Sequence, residues 1–300
     1  MVTFMDETCV LQNLGLFVGV GLFFIICAVI HLFIAVVNFY DWLKGRTMTV
    51  IDKIVSSLSI ARGSFQLACL INMFLETCYE DSLLFSVVKR CGDFTELLSN
   101  SCCICFFALL ILMVCLKVSN IHHVYFHHLK FITARRIVHL ITASVVMSIL
   151  HTTIFIWIAE LLHSENSNDS YIIDYSDHNV ALQYVYFYTL GSVVPFFMQL
   201  TCSFLVIYSL CVHLKRMKGR TNLNTQADQL YSAIRASIFC FLNFILQIIL
   251  TITIVYHYET LGTVFSYVTW NFFPTIHSIY LIHSTAKLKN VFFRILQGGR

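Results

Sequence analysis

Seven long apolar runs divide the chain, at residues 11–37, 51–75, 94–119, 137–161, 180–212, 231–257 and 263–285. Each is long enough for a helix crossing roughly 30 Å of hydrocarbon, which takes about 20 residues. The first, fourth and sixth runs are the most uniformly apolar. The third and seventh carry polar residues at one end, the usual pattern of a helix that faces a bundle interior. Short polar connections separate the runs, with no internal repeat, low-complexity tract or linker. The pattern predicts an all-α membrane protein, one seven-transmembrane helix bundle over residues 1–300.

Lys and Arg orient this thread. With the carboxyl terminus in the cytoplasm, the inner segments hold Lys44, Arg46, Lys53, Lys130, Arg135, Arg136, Lys215, Arg216, Lys218, Arg220, Lys287, Lys289, Arg294 and Arg300. The outer segments hold only Lys89 and Arg90. By the positive-inside rule the amino terminus is extracellular and the number of spans odd. Met1 to Val10 has no Lys or Arg, which argues against a cleaved signal peptide and makes the first run a signal anchor. Asn168-Asp169-Ser170 is a glycosylation sequon in the fourth connection, extracellular in this topology.

Composition agrees. Hydrophobic residues are 58% of the chain and charged residues 12%, against about 25% charged in a soluble domain. The net charge of +3 excludes a nucleic-acid partner and leaves the membrane lipid as the main environment. Most of the 12 Cys sit inside apolar runs, where a thiol behaves as a small hydrophobe. Cys78 and Cys91 flank the first outer connection, and pairing and free thiols are equally compatible with the sequence.

Some polar residues sit where lipid is expected. An Arg at the centre of a span costs about 2.5–3.5 kcal/mol on insertion scales, so such a residue is expected to face partners. Arg62 lies halfway along the second run, His31 in the first, and His277 with Ser278 in the seventh. These four predict a buried hydrogen-bonded cluster, either a structural contact or an activation network. Nearer the outside, Asn72, Glu96, Asn100, Gln247, Tyr267 and Trp270 lie at similar depth. Each alone reads as an interhelical contact. Together they describe an apolar pocket with a few orienting polar groups, suited to a small molecule.

His122-His123-Val124-Tyr125-Phe126-His127-His128 has the spacing of one box of a membrane di-iron oxidase. Such enzymes need several boxes, and the remaining His are scattered. The run reads better as interfacial histidine, with no metal or other cofactor. No phosphate loop, nucleophile motif or carboxylate pair points to an enzyme.

Several pieces, in order, carry a resemblance. They are Val37-Asn38 with Asp41-Trp42; Asp52 followed by Leu58-Ser59-Ile60-Ala61-Arg62; Leu116-Lys117-Val118-Ser119-Asn120 with Leu129-Lys130; Pro195-Phe196, Ser209-Leu210, His213 and Met217; and His277-Ser278, Leu281 and Lys287-Leu288-Lys289. In this the chain resembles vertebrate bitter taste receptors (taste receptor type 2), a family of G-protein-coupled receptors, over nearly its whole length. His31 in place of Asn, Ala61 in place of Ser, Tyr231 in place of His and Glu96 in place of Trp depart from the family pattern. The resemblance implies a plasma-membrane receptor for bitter small-molecule agonists, coupled to a gustducin-like heterotrimeric G protein. It implies a G-protein-facing role for Lys117, Asn120, His213, Lys215 and Arg216, and ligand contacts for Asn72 and Asn100. An acid at Glu96 suggests cationic amines as ligands. A type 1 vomeronasal pheromone receptor is the alternative within receptors, and a transporter or channel the alternative outside them. A receptor oligomer is compatible with either receptor reading.

Overall fold

The computed structural model describes residues 2–78, 83–118, 124–166, 178–217 and 224–298. They form nine helices: α1 (Val2–Leu43), α2 (Val50–Cys78), α3 (Leu83–Val118), α4 (Val124–Arg135), α5 (Ile137–Asn166), α6 (His178–Met217), α7 (Asn224–Tyr256), α8 (Tyr258–Ser284) and α9 (Ala286–Leu296). Every apolar run of the sequence is a helix, most extended by a turn or more at their ends. The short helices α4 and α9 were not expected.

Neighbouring helices close a ring in the order α1, α2, α3, α5, α6, α7, α8 and back to α1, with α3 also reaching α6. Helix α1 displays the logic of the packing. Val20, Phe24, Cys27, His31, Ile34 and Asn38 are buried at alternating spacings of four and three, the stripe a straight helix presents to one neighbour. The opposite face, including Leu22, Ile25, Ile26, Val29, Leu32 and Val36, is exposed and wholly apolar. Apolar residues thus occupy both faces, and the polar His31 and Asn38 are confined to the inside. An apolar outer face is stable only against hydrocarbon.

Among the described residues, six helices are long and apolar enough to cross a membrane: Val18–Leu43, Val50–Leu75, Val87–Val118, Ile137–Ile158, Thr189–Val212 and Ile234–Ile254. The chain is therefore a multi-pass membrane bundle. Helix α8 is not among the six, although it has 27 residues. Its inward side carries Tyr267, Asn271, Thr275, His277 and Ser278, all buried, and these lower its hydropathy.

The ends of α1 and α2 follow local chemistry. Gly45 has φ +75°, and Arg46 N donates to Asp41 O (3.1 Å) while Gly45 N donates to Trp42 O (3.0 Å). This is a Schellman stop, whose left-handed position suits glycine. Four residues on, Thr49 Oγ1 accepts from Asp52 N (3.1 Å) and Asp52 Oδ2 accepts from Thr49 N (3.2 Å). The pair is a reciprocal cap on α2.

Candidate functional site

Arg62 is held by α8. Its Nη1 donates to Pro274 O (3.1 Å), His277 Nδ1 (3.1 Å) and Ser278 Oγ (2.8 Å). None of these acceptors is a carboxylate, so the charge is spread over dipoles. Donation to Nδ1 fixes His277 as the neutral tautomer protonated at Nε2. Pro274 lacks an N–H and so donates no hydrogen bond within α8.

The structure joins Arg62, His277 and Ser278. His31 lies in the same layer, fully buried on α1 and packed near Gly63 of α2, but neither of its ring nitrogens has a hydrogen-bond partner. Four rings carry the layer across the bundle. The centroids of Phe196 and Phe244 are 5.9 Å apart, those of Phe244 and Phe107 5.9 Å, and those of Phe107 and His277 4.8 Å, the last edge to face. Arg62 on α2 is thereby coupled by contact to α8, α3, α7 and α6.

Above these rings lies a cleft with about 50 Å³ of free interior, room for only a few waters. It is lined by Arg62, Phe65 and Gln66 of α2; Asn100, Cys103, Ile104 and Phe107 of α3; Gln199 of α6; Phe244, Gln247 and Thr251 of α7; and Trp270, Asn271 and Pro274 of α8. Asn100, Gln247 and Trp270 are therefore brought together, as the polar pattern of the sequence suggested, over a floor that contains Arg62.

The other three residues expected in the pocket are not in its lining. Tyr267 packs edge-to-face on Trp270, centroids 5.9 Å apart. Asn72 and Glu96 belong to a separate cluster between α2 and α3, where Asn72 Nδ2 donates to Glu96 Oε2 (2.9 Å) and Asp93 Oδ1 (3.0 Å). Lys89 Nζ lies 3.7 Å from Asp93 Oδ1. Glu96 stands one turn from Asn100 on α3, yet the carboxylate turns toward α2. Cys91 is a free, exposed thiol; the Cys78 side chain lies outside the described residues.

At the opposite end of the bundle, Lys287 Nζ donates to Asn38 Oδ1 (2.8 Å) and pairs with Asp41 Oδ2 (2.9 Å). This clasp ties α9 to α1. The sequence offered Asn38, Asp41 and Lys287 as pieces of a resemblance but gave no sign that they meet. Lys117 and Lys215 are exposed there, as are Arg135 and Arg136. Asn120 and Asn168 lie outside the described residues, as do the side chains of His213 and Arg216 on α6. Of the histidine run, His128 is exposed and His122 and His123 lie outside the described residues. Among the described residues no group of His, Cys, Asp or Glu is arranged to hold a metal.

A family model described as taste receptor protein (TAS2R) matches residues 9–300. Taste receptor type 2 member 50 of Gorilla gorilla gorilla is 28% identical over 280 residues, covering 88% of this chain and 90% of that protein. The Homo sapiens protein of the same name gives the same identity and coverage. Taste receptor type 2 member 9 of Papio hamadryas is 27% identical over 277 residues, covering 88% of each.

Proposed function

The chain belongs to the taste receptor type 2 family of non-enzymatic G-protein-coupled receptors, and from that premise we propose that it detects bitter small molecules in the cleft above Arg62. The observation that carries this reading is that the cleft and the Arg62 layer share residues. Arg62, Phe107 and Phe244 line the one and build the other.

Occupancy therefore acts directly on the contacts that hold α2, α3, α7 and α8 together. A ligand needs more room than about 50 Å³, so it binds best to a conformer in which α6 and α7 have moved outward. Binding shifts the population toward that conformer by as much as the ligand's affinity for the two differs. Asn100, Gln247 and Trp270 contact the ligand. Asn72, Glu96 and Tyr267 hold the surrounding helices. His31, Arg62, His277 and Ser278 form the activation network, with His31 lending a side chain that can gain a partner when the layer rearranges.

The bundle crosses the plasma membrane seven times in this reading, α8 being the seventh span because its polar residues face inward. The amino terminus is extracellular, with Asn168 glycosylated. The inner face, with Lys117, Asn120, His213, Lys215 and Arg216, receives a gustducin-like heterotrimeric G protein. Its basic side chains also contact anionic lipid.

Calcium imaging of cells expressing the receptor and a gustducin-like G protein, challenged with a panel of bitter compounds, tests the function. A response abolished by Arg62→Ala at normal surface level is the expected result. Silence toward the whole panel at normal surface level overturns it. Tags at both termini test the topology: accessibility of both from the same side of intact cells refutes the seven-span reading.

A further inference from the structure

The corner where α1 stops and α2 begins forms an open concavity of about 340 Å³, lined by Trp42, Gly45, Arg46, Thr47, Met48 and Lys53. The charged groups in this lining are cations, and the neighbouring acids Asp41 and Asp52 are not part of it. Both carboxylates are already engaged. Asp41 takes Arg46 Nη1 on Oδ1 (3.3 Å) and Lys287 Nζ on Oδ2 (2.9 Å), while Asp52 Oδ2 accepts from the Thr49 hydroxyl (2.8 Å). Lys53 pairs with no carboxylate among the described residues. Arg46 gives Asp41 a single nitrogen, and its side chain is 74% exposed, so little holds the guanidinium against a stronger acceptor. Four cations, Lys44, Arg46, Lys53 and Lys287, stand at this corner against the two acids, and it is positive.

The concavity is continuous with a lipid-facing wall. Val29, Leu32, Val36, Phe39 and Leu43 follow one another at spacings of three and four, each more than half exposed, and so form one apolar stripe down α1. Trp42 joins the stripe to the concavity: it lines the latter and packs on Phe39, centroids 5.4 Å apart. An aromatic pair at the end of a span belongs at headgroup level. An amphiphile whose chains lie along the stripe therefore brings its headgroup to Arg46 and Lys53. A phosphate suits both side chains, because the planar guanidinium offers parallel N–H donors and the ammonium a compact charge. A lone phosphate would leave most of the volume empty, so the space suits a larger headgroup with more than one phosphate.

We propose that this corner binds an anionic phospholipid of the cytoplasmic leaflet, a phosphoinositide whose phosphates bridge Arg46 at the end of α1 and Lys53 near the start of α2. Arg46 turns from Asp41 to the phosphate, and Asp41 stays with Lys287. The bound lipid thus fastens α1 to α2 beside the clasp that ties α1 to α9. The leaflet rests on the reading that places the carboxyl end of α1 at the cytoplasmic surface; the concavity and its charge do not.

The test uses the purified full chain in phosphatidylcholine nanodiscs, with phosphatidylinositol bisphosphate or phosphatidylserine added at matched charge. Bound lipid is read by native mass spectrometry and by titration with a fluorescent phosphoinositide. Arg46→Gln and Lys53→Gln should each weaken phosphoinositide binding about fivefold, the effect of one cation at a headgroup. Arg46→Lys keeps the charge but loses the fork and should weaken binding about threefold. Lys44 lies over the Tyr40 ring, 4.4 Å from its centroid, and outside the lining, so Lys44→Gln should change binding by less than about twofold. Soluble inositol trisphosphate has no chains to lie on α1 and should displace the lipid only at about hundredfold higher concentration. Equal uptake of phosphatidylserine, or equal losses from Lys44→Gln and Arg46→Gln, would mean diffuse attraction and overturns the proposal. Displacement by inositol trisphosphate at the lipid's own concentration overturns it too. Nanodiscs present lipid on both faces, so binding is read whichever way the chain crosses. Binding as expected with an amino-terminal tag facing the cytosol of intact cells refutes the seven-span reading and the leaflet but not the site. Signalling to bitter compounds by a receptor that takes up no phosphoinositide refutes the site alone.

Discussion

Replacing Gly92 by alanine adds a methyl group where α3 packs against Asn72 of α2. The new Cβ would overlap Asn72 Oδ1 and stand 3.0 Å from Asn72 Cγ. A flexible exposed side chain would move aside at little cost. Asn72 is 0% exposed, and its amide donates to both Asp93 and Glu96. Retreat of the amide breaks these two bonds to carboxylates. Hydrogen bonds to charged groups contribute about 1.5–3 kcal/mol each, so the two together amount to about 3–6 kcal/mol. Alanine recovers about 1 kcal/mol over glycine in a helix interior. The net expectation is a loss of about 2–5 kcal/mol, read as a lowered thermal midpoint of purified receptor in lipid nanodiscs. Asn72→Ala in the same chain removes the obstacle, so Gly92→Ala added to Asn72→Ala should be neutral or slightly stabilising. If Gly92→Ala alone raises the midpoint, the amide yields freely and the α2–α3 cluster is not the rigid contact described.

Two other substitutions test the cytoplasmic end. Thr49→Ala removes one half of the α2 cap and should cost about 1 kcal/mol, while Thr49→Ser keeps most of it; unchanged amide exchange in the first turn of α2 would refute the cap. Lys287→Ala opens the clasp to Asp41, whose partners are 30% and 18% exposed. A double-mutant cycle with Asp41→Asn should give a coupling of about 0.5–1 kcal/mol that shrinks in high salt. Zero coupling at low salt would show that the Lys287–Asp41 pair adds nothing to the hold of α9 on α1.

Much of the membrane architecture was legible because hydropathy is a property of the residue and its chain neighbours. Seven apolar runs became seven long helices, and Arg62, too costly to leave in lipid, marked a buried contact before its partners were known. The short helices were less legible. Helix α4 has 12 residues and α9 has 11, below span length. A 3.6-residue reading of residues 286–296, with Leu288 buried and Phe292, Phe293 and Leu296 exposed, was the available signal for α9.

The rotation of each helix about its axis was decided only by the tertiary structure. Successive residues point about 100° apart, so equal depth does not mean equal direction. Even Asn100 and Glu96, four residues apart and so only about 40° apart around α3, part company, one lining the cleft and the other turning its carboxylate to Asn72 of α2. Gln66, Gln199, Thr251 and Asn271 line the cleft without any mark in the sequence to separate them from polar residues at ordinary helix contacts. The sequence determined which segments enter the membrane and which side chains must avoid lipid, because transfer free energy is local and nearly additive. Which of those side chains meet was left to packing, since it depends on distances between segments far apart along the chain.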